Sequence, residues 1–187
     1  MSAITEPILT VDDLDLMPDD GNRYELLEGE IYVSRAPSLT HQRILGNLLT
    51  LLKNYLDQHP HGEAFATPGV IFDPSNGVIP DIVFISNQLG DRLGASERIT
   101  EAPELVIEII SPGKENARRD RVVKRRVYAK HGVKEYWIID PEAETLEIYR
   151  AERHKLAHTV TLQDEDVIAT PLLPGFTCAV SKIFGKR

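Results

Sequence analysis

Hydrophobic and polar positions along the chain follow two spacings, and the two spacings predict different elements. Apolar residues recur every three or four positions after Ser38 and Thr40, which predicts a helix through about Asp57, capped by one of those two side chains. A second helix is predicted over 117–131, where basic residues in the last turn are followed by Gly132. Short apolar runs predict four strands, at about 64–72, 79–86, 104–110 and 135–140.

Turn-forming residues divide the rest of the chain. A hairpin is predicted over 23–37, with Gly29 in its turn, and a second hairpin at about 145–170. The sequence DPSNG at 73–77 separates the first two strands, and a polar loop is predicted over 87–103. The order of elements indicates a mixed α/β domain around a central sheet. Within it, the strands at 104–110 and 135–140 flank a helix, which predicts a parallel βαβ unit.

The composition narrows the class of protein. A net charge of −8 over 187 residues argues against bulk binding of nucleic acid. Cys178 is the only cysteine, which excludes an intramolecular disulfide and a cysteine-rich zinc site. The first residues lack the pattern of a secretory signal, and no run approaches the roughly 18 apolar residues of a membrane-spanning helix. We therefore expect a cytoplasmic protein with no membrane partner.

The basic residues are unevenly distributed. Nine of the 21 lysines and arginines lie between Lys114 and Lys134, against two acids, so that this window alone carries a charge of +7. Local basic patches of this kind bind phosphates. A solvated, charge-rich helix face is the alternative.

Glu108 stands in the apolar stretch ELVIEIISP, in a predicted strand interior. An unpaired carboxylate in such a setting costs several kcal/mol or more, so it needs a cation, a hydrogen-bond donor or a metal. Its place near the carboxyl end of a strand in a βα unit is typical of a ligand site. The alternative is a glutamate at the sheet edge that pairs with a nearby arginine.

Asp81, in VIPDIVFIS, supplies a second carboxylate on the preceding strand, and Asp73 competes with it across the DPSNG turn. Two carboxylates on adjacent strands can hold one hard divalent cation that keeps several waters. Such a cation can activate a water and neutralise developing charge, and a basic helix beside it suits a phosphodiester.

Several motifs together resemble one family. The motifs are RYELLEGEIYV, the lone His41, PDIVFIS, PELVIEIISP, the spacing of Asp120, Lys124 and Tyr128, HGVKEYWIIDP and LPGF. Together they resemble the PD-(D/E)xK nuclease superfamily, and within it the Uma-two family of restriction-endonuclease-like proteins. The resemblance implies a restriction-endonuclease-like domain over 1–187 with its core at about 38–140, a central mixed β-sheet flanked by helices, and N- and C-terminal β-hairpins. It also implies magnesium-dependent cleavage of DNA, with Mg²⁺ (or Mn²⁺) held by Asp81, Glu108 and the Ile109 carbonyl.

The superfamily pattern has a lysine two residues after the glutamate, where this chain has Ile110. Lys124 on the following helix is the candidate replacement, because Asp120, Lys124 and Tyr128 line one helix face. An Asp120–Lys124 surface ion pair is the alternative, and the resemblance favours the relocated lysine as a catalytic residue.

The remaining expectations concern the rim of the site and the partners. His41, Glu28, Asp120 and Tyr128 are candidates for lining it, whereas Arg118, Arg119 and Arg121 are expected to hold the DNA backbone. A homodimer is expected, because cleavage of both strands usually needs two active sites.

The predicted function is a magnesium-dependent DNA endonuclease. The rival interpretation is a catalytically inactive nuclease-fold module for binding or assembly, supported by Ile110 and by the net charge of −8. Metal affinity separates the two.

Overall fold

The structure, a computed structural model, describes residues 9–185, so both ends of the predicted 1–187 domain lie outside it. The helices are Val11–Leu14 (α1), Leu39–Gln58 (α2), Asn87–Leu93 (α3), Lys114–Arg118 (α4), Arg125–His131 (α5) and Val180–Phe184 (α6), and the π-helical segment Arg119–Lys124 joins α4 to α5. The strands are Arg23–Leu27 (β1), Glu30–Ser34 (β2), Gly62–Ala66 (β3), Val70–Asp73 (β4), Asn76–Val78 (β5), Ile82–Ser86 (β6), Leu105–Ile109 (β7), Glu135–Asp140 (β8), Thr145–Glu152 (β9), Lys155–Gln163 (β10), Val167–Ile168 (β11) and Cys178–Ala179 (β12).

A six-stranded mixed sheet forms the centre of the fold, in the order β10-β9-β8-β7-β6-β3. The pair β7–β8 is parallel, and the other neighbouring pairs are antiparallel. A smaller sheet has the order β2-β1-β5-β4 and contains the N-terminal hairpin. The central mixed sheet, the parallel βαβ unit and both hairpins are as the sequence predicts.

Apolar side chains are buried on both faces of the central sheet. Leu48 of α2 belongs to the cluster on one face with Ile107, and α6 contributes to the same cluster. Val127 of α5 belongs to the cluster on the other face with Val106, and α3 contributes there. Because β7 and β8 are covered on both sides, their sequences are nearly continuous apolar runs rather than alternating ones.

The predicted strand at 64–72 is divided between the two sheets as β3 and β4, and the one at 79–86 is shortened to β6, with β5 ending before it at Val78. Thr67 has φ 51° and is followed by Pro68-Gly69, so β3 ends and β4 begins in the smaller sheet. Pro80 cannot donate to a ladder and separates β5 from β6 in the same way. Both proline-containing breaks were readable in the sequence, but the long apolar runs concealed them.

Two helical boundaries also differ from the prediction. The expected loop over 87–103 begins with α3, whose cap is the Ser86 hydroxyl accepting from the Leu89 backbone N–H. The helix expected over 117–131 begins at Lys114 and contains the π-helical segment. Within the described part of the chain, no helix combines the length and hydrophobicity needed to cross a bilayer.

Candidate active site

Five elements meet near the carboxyl end of β7 around a narrow cleft of about 30 Å³. They contribute Glu108 from β7, Asp81 just before β6, Lys124 from the π-helical segment, Glu25 from β1 and His41 from α2. Each of these residues is at most 5% exposed. The volume is about the share of one water molecule in the liquid, so the cleft suits a water or a small ion rather than a nucleotide.

The segment before β6 directs the Asp81 carboxylate towards β7. Continuing the Ile82–Ile107 register would place Pro80 opposite Ile109, but proline has no N–H to offer the ladder. The Asp81 side chain takes part of that role, because its Oδ2 accepts the Ile109 backbone N–H at 2.8 Å. One hydrogen bond therefore fixes a carboxylate beside the end of the neighbouring strand.

His41 supports this placement of Asp81. Its Nε2 donates to Asp81 Oδ2 at 3.0 Å, since an ionised carboxylate can only accept. The buried His41 Nδ1 has no hydrogen-bond partner among the described residues. Asp81 Oδ1 accepts no hydrogen bond among residues 9–185, and the Arg23 guanidinium lies 3.8 Å from it.

Glu108 has one oxygen saturated and one open. Its Oε1 accepts from Lys124 Nζ at 2.9 Å and from the Tyr128 hydroxyl at 2.6 Å. Burial raises the pKa of Glu108 to about 8; the Lys124 ammonium opposes this shift, and the negative charges of Asp81, Asp120 and Glu25 add to it. The folded protein therefore binds a proton at this carboxyl group more tightly than a free glutamate does, and Lys124 is the cationic partner of its ionised form.

Lys124 is the central cation of the cluster. Its Nζ donates to Glu108 and to Glu25, each at 2.9 Å, and the residue is 2% exposed. Burial works against the charged form, but the attraction of Glu108, Glu25 and Asp120 outweighs it and holds the lysine pKa well above its usual value. The alternative Asp120–Lys124 surface ion pair is wrong, because both side chains are buried and Asp120 pairs with Arg119 at 3.3 Å.

Glu25 is a member of the site that the sequence interpretation missed. Besides Lys124, its Oε1 accepts the Ile79 backbone N–H at 2.9 Å. Its signal was the one used for Glu108, an acid in the interior of a short strand, here RYELL.

The other candidates for lining the site divide into two groups. Asp120 and Lys124 both line the cleft, and the Tyr128 hydroxyl donates a hydrogen bond to Glu108. Glu28 does not join them, because it forms an ion pair with Arg126 at the surface. The helix face that contains Asp120, Lys124 and Tyr128 thus looks onto the sheet.

Two of the three arginines expected to hold DNA are turned to other partners. Arg121 binds Glu147 at 2.6 Å and Asp140 at 2.8 Å. Arg119 binds Asp120 and the Ser34 hydroxyl, with its side chain 11% exposed. Arg118 is exposed and forms no ion pair with the residues that the structure describes.

The donor set of the cleft suits a hard divalent cation. Among residues 9–185, no three His, Cys, Asp or Glu side chains are grouped as a metal site, so further ligands would be backbone oxygens or water. Asp81 Oδ1 and Glu108 Oε2 accept no hydrogen bond from the described residues. Ile109, whose N–H donates to Asp81, also lines the cleft. One or two carboxylates with several waters are what Mg²⁺ requires.

Comparisons with known proteins identify the family of the chain and its fold. A family model with the description "Putative restriction endonuclease" matches residues 11–181, which confirms the resemblance read from the motifs. No curated protein matches the chain.

Two solved structures are similar to it. The first is described as "a putative nuclease belonging to DUF820 from Anabaena variabilis ATCC 29413"; it is 19% identical, with 94% of this chain and 97% of that chain covered and a TM-score of 0.78. The second is the type IIG restriction endonuclease BpuSI, 14% identical, with 77% of this chain and 15% of that chain covered and a TM-score of 0.42. The first comparison shows a shared fold.

Proposed function

The chain belongs to the Uma2 family, and from that premise we propose that it is a metal-dependent endonuclease that hydrolyses phosphodiester bonds of DNA. The observation that carries the proposal is the Asp81–Ile109 hydrogen bond, which brings two open carboxylate oxygens to one cleft beside the Lys124 ammonium. The cleft lining combines four carboxylates with four cationic side chains, a set that suits a metal cation and a phosphate bound to it better than a neutral substrate.

Asp81, Glu108 and the Ile109 carbonyl would hold the cation, Mg²⁺ or Mn²⁺. When bound, the ion supplies a Lewis acid and lowers the pKa of a water molecule. His41 fixes the orientation of Asp81, and Tyr128 fixes that of Glu108. His41 and Tyr128 keep Asp81 Oδ2 and Glu108 Oε1 occupied. Asp81 Oδ1 and Glu108 Oε2 are then the oxygens that would bind the cation.

Lys124 would stabilise the negative charge that develops on the phosphoryl oxygens and would orient the attacking water. In the hydrolysis the water oxygen forms a bond to phosphorus, the bond to one ester oxygen breaks, and that oxygen takes a proton. Glu25 also accepts from the ammonium group and so helps to hold it in place. Lys124, which the helix and Glu25 hold in place, thereby takes the role of the strand lysine, whose position is occupied by Ile110 in this chain.

The proposal is tested by plasmid nicking with Mg²⁺, Mn²⁺ and EDTA, in wild type and in Asp81→Asn. The variant keeps an oxygen that can accept the Ile109 N–H but removes the charge, so we expect at least about tenfold weaker Mn²⁺ binding and a matching loss of nicking. Calorimetric titration with Mn²⁺ measures the first and gel densitometry the second.

Metal-dependent nicking that Asp81→Asn retains in full would contradict the assignment of the site. Neither nicking nor Mn²⁺ binding by wild type would favour the inactive nuclease-fold module instead. The exposed Asp91→Asn, on α3, is the matched control and is expected to behave as wild type in both measurements.

We also propose that the protein acts as a homodimer in the cytoplasm, because cleavage of both strands needs two active sites. Light scattering at the concentrations of the nicking assay is expected to give twice the 21.0 kDa mass of the chain. A monomer that linearises plasmid would contradict the homodimer.

A further inference from the structure

The outer side of the basic helix forms a groove with the C-terminal hairpin. The groove has a volume of about 600 Å³ and lies between α5 and the turn that joins β9 to β10. Arg125, Arg126 and Lys130 line it from the helix, and His154 and Lys155 line it from the hairpin. We call it the basic groove.

Two of the four permanent cations of the basic groove have no ion pair among the described residues, and the other two have one carboxylate each. Lys155 forms no ion pair within the described part of the chain, and Lys130 is 3.6 Å from Asp73 with its side chain 63% exposed. The Arg125 guanidinium lies 5.0 Å from the centre of the Tyr149 ring, which holds it in place without neutralising it. Arg126 alone has a carboxylate of the groove, Glu28, as its partner.

The cations of the basic groove offer a source of affinity for a polymer that the small active-site cleft does not provide. A cleft of about 30 Å³ accommodates only the reacting groups, so most of the affinity for a polymer must come from other surfaces. Two of the three expected contacts, Arg119 and Arg121, are already paired, which leaves Arg118 alone of that set. Lys124 points inward from the same helical stretch from which the groove cations point outward. One element therefore sets the position of the groove cations relative to the reacting group.

We propose that the basic groove binds the phosphate backbone of a nucleic acid, independently of base sequence. The proposal rests on the proposed function for its choice of a nucleic acid over an acidic protein. The groove contains four permanent cations and one carboxylate, in a chain of net charge −8, and phosphates need nothing more specific than such cations. The C-terminal hairpin thereby serves to bind the substrate.

The test is the binding of a fluorescein-labelled 30-base-pair DNA duplex, followed by anisotropy in EDTA over a salt series. The variant is Lys130→Gln with Lys155→Gln, which removes one cation from each wall. The control is Lys53→Gln with Lys182→Gln, which gives the same net charge but changes exposed lysines on α2 and α6, across the central sheet. Thermal unfolding of all three proteins verifies their folding.

The groove variant is expected to reduce the slope of log K against log salt by about 2, near 0.9 for each lost phosphate contact, and to raise the Kd about tenfold at 0.1 M salt. The control pair is expected to leave both unchanged. Equal effects of the two pairs, or none in either, would overturn the proposal. Polyglutamate is the second probe. If the groove variant lost binding to polyglutamate but bound the duplex as wild type does, the partner would be an acidic protein and the proposal would be wrong.

Because binding is measured without metal, the result is independent of catalysis. Wild type that nicks plasmid while the groove variant binds normally would refute the groove and leave the nuclease. Wild type that never nicks DNA but loses duplex binding in the groove variant would support the groove and refute the nuclease.

Discussion

Replacing Lys124 with methionine is expected to destabilise the protein by about 3–5 kcal/mol and to remove nicking activity. The ammonium is 2% exposed and lies between Glu108 and Glu25, with Asp120 close by. Methionine fills a similar volume but leaves these acids without their central cation, and breaking a buried ion pair on one side has a cost of this size. Loss of a preorganised cation at a reacting phosphate lowers rates by about 100- to 1000-fold.

Urea unfolding at constant pH measures the first effect, and the plasmid assay measures the second. Lys134→Met is the matched control, because Lys134 has a 62% exposed side chain, lies 3.7 Å from Glu104, and should contribute at most about 1 kcal/mol. Lys124→Arg guards against a variant that does not fold, since it keeps the charge but changes its shape. If Lys124→Met were as stable as Lys134→Met, the buried network would not contribute the stability assigned to it.

The central part of the fold was predictable because its signals are local and agree with one another. The runs LVIEI and EYWIID are too apolar for a half-exposed strand, and the helix between them ends in basic residues and Gly132. A strand, a helix and a strand of these lengths leave little choice but parallel pairing. Helix spacing alone then predicted that Asp120, Lys124 and Tyr128 share a face, which the structure places against the sheet.

What the sequence could not provide was the choice of partner for each charge. Arg118, Arg119 and Arg121 are equally basic in the sequence, yet the fold buries Arg119 against Asp120 and pairs Arg121 with Asp140 and Glu147. Asp140 and Glu147 lie on strands whose position relative to the helix is a tertiary property. Local sequence pattern contains no information on such pairings, so a count of basic residues overestimates the surface left for phosphates.

Glu25 is a second charged residue whose partners the sequence does not identify. It is 54 residues from Ile79 and 99 from Lys124, the two groups that donate to it. Only the arrangement of the smaller sheet brings β1 to the cleft. An acid inside a strand is a reason to look for a buried partner, but the sequence does not identify that partner.

The second large effect concerns the stability of the metal-free protein as a function of pH. The pKa of Glu108 is raised from an ordinary 4.5 to about 8, so the folded state binds this proton more tightly than the unfolded state does. Stability from this group is therefore fully present below about pH 4.5 and is lost as the pH rises through about 8. Glu108→Gln resembles the protonated form at every pH, and its Oε1 can still accept from Lys124 and Tyr128.

We expect the difference in unfolding free energy, Glu108→Gln minus wild type, to increase by several kcal/mol between pH 5 and pH 9 in EDTA, with the variant the more stable at high pH. Urea unfolding at intervals of half a pH unit measures it. The same difference is then measured in a Glu25→Gln background, that is, between Glu25→Gln with Glu108→Gln and Glu25→Gln alone. The midpoint of the increase should move to lower pH, because Glu25 is one of the charges that raise the pKa of Glu108. The exposed Glu63→Gln should not move it. A difference that stays constant from pH 5 to 9 would mean that Glu108 is ionised throughout, and that Lys124 alone, without a bound cation, compensates the charge of the strand carboxylate.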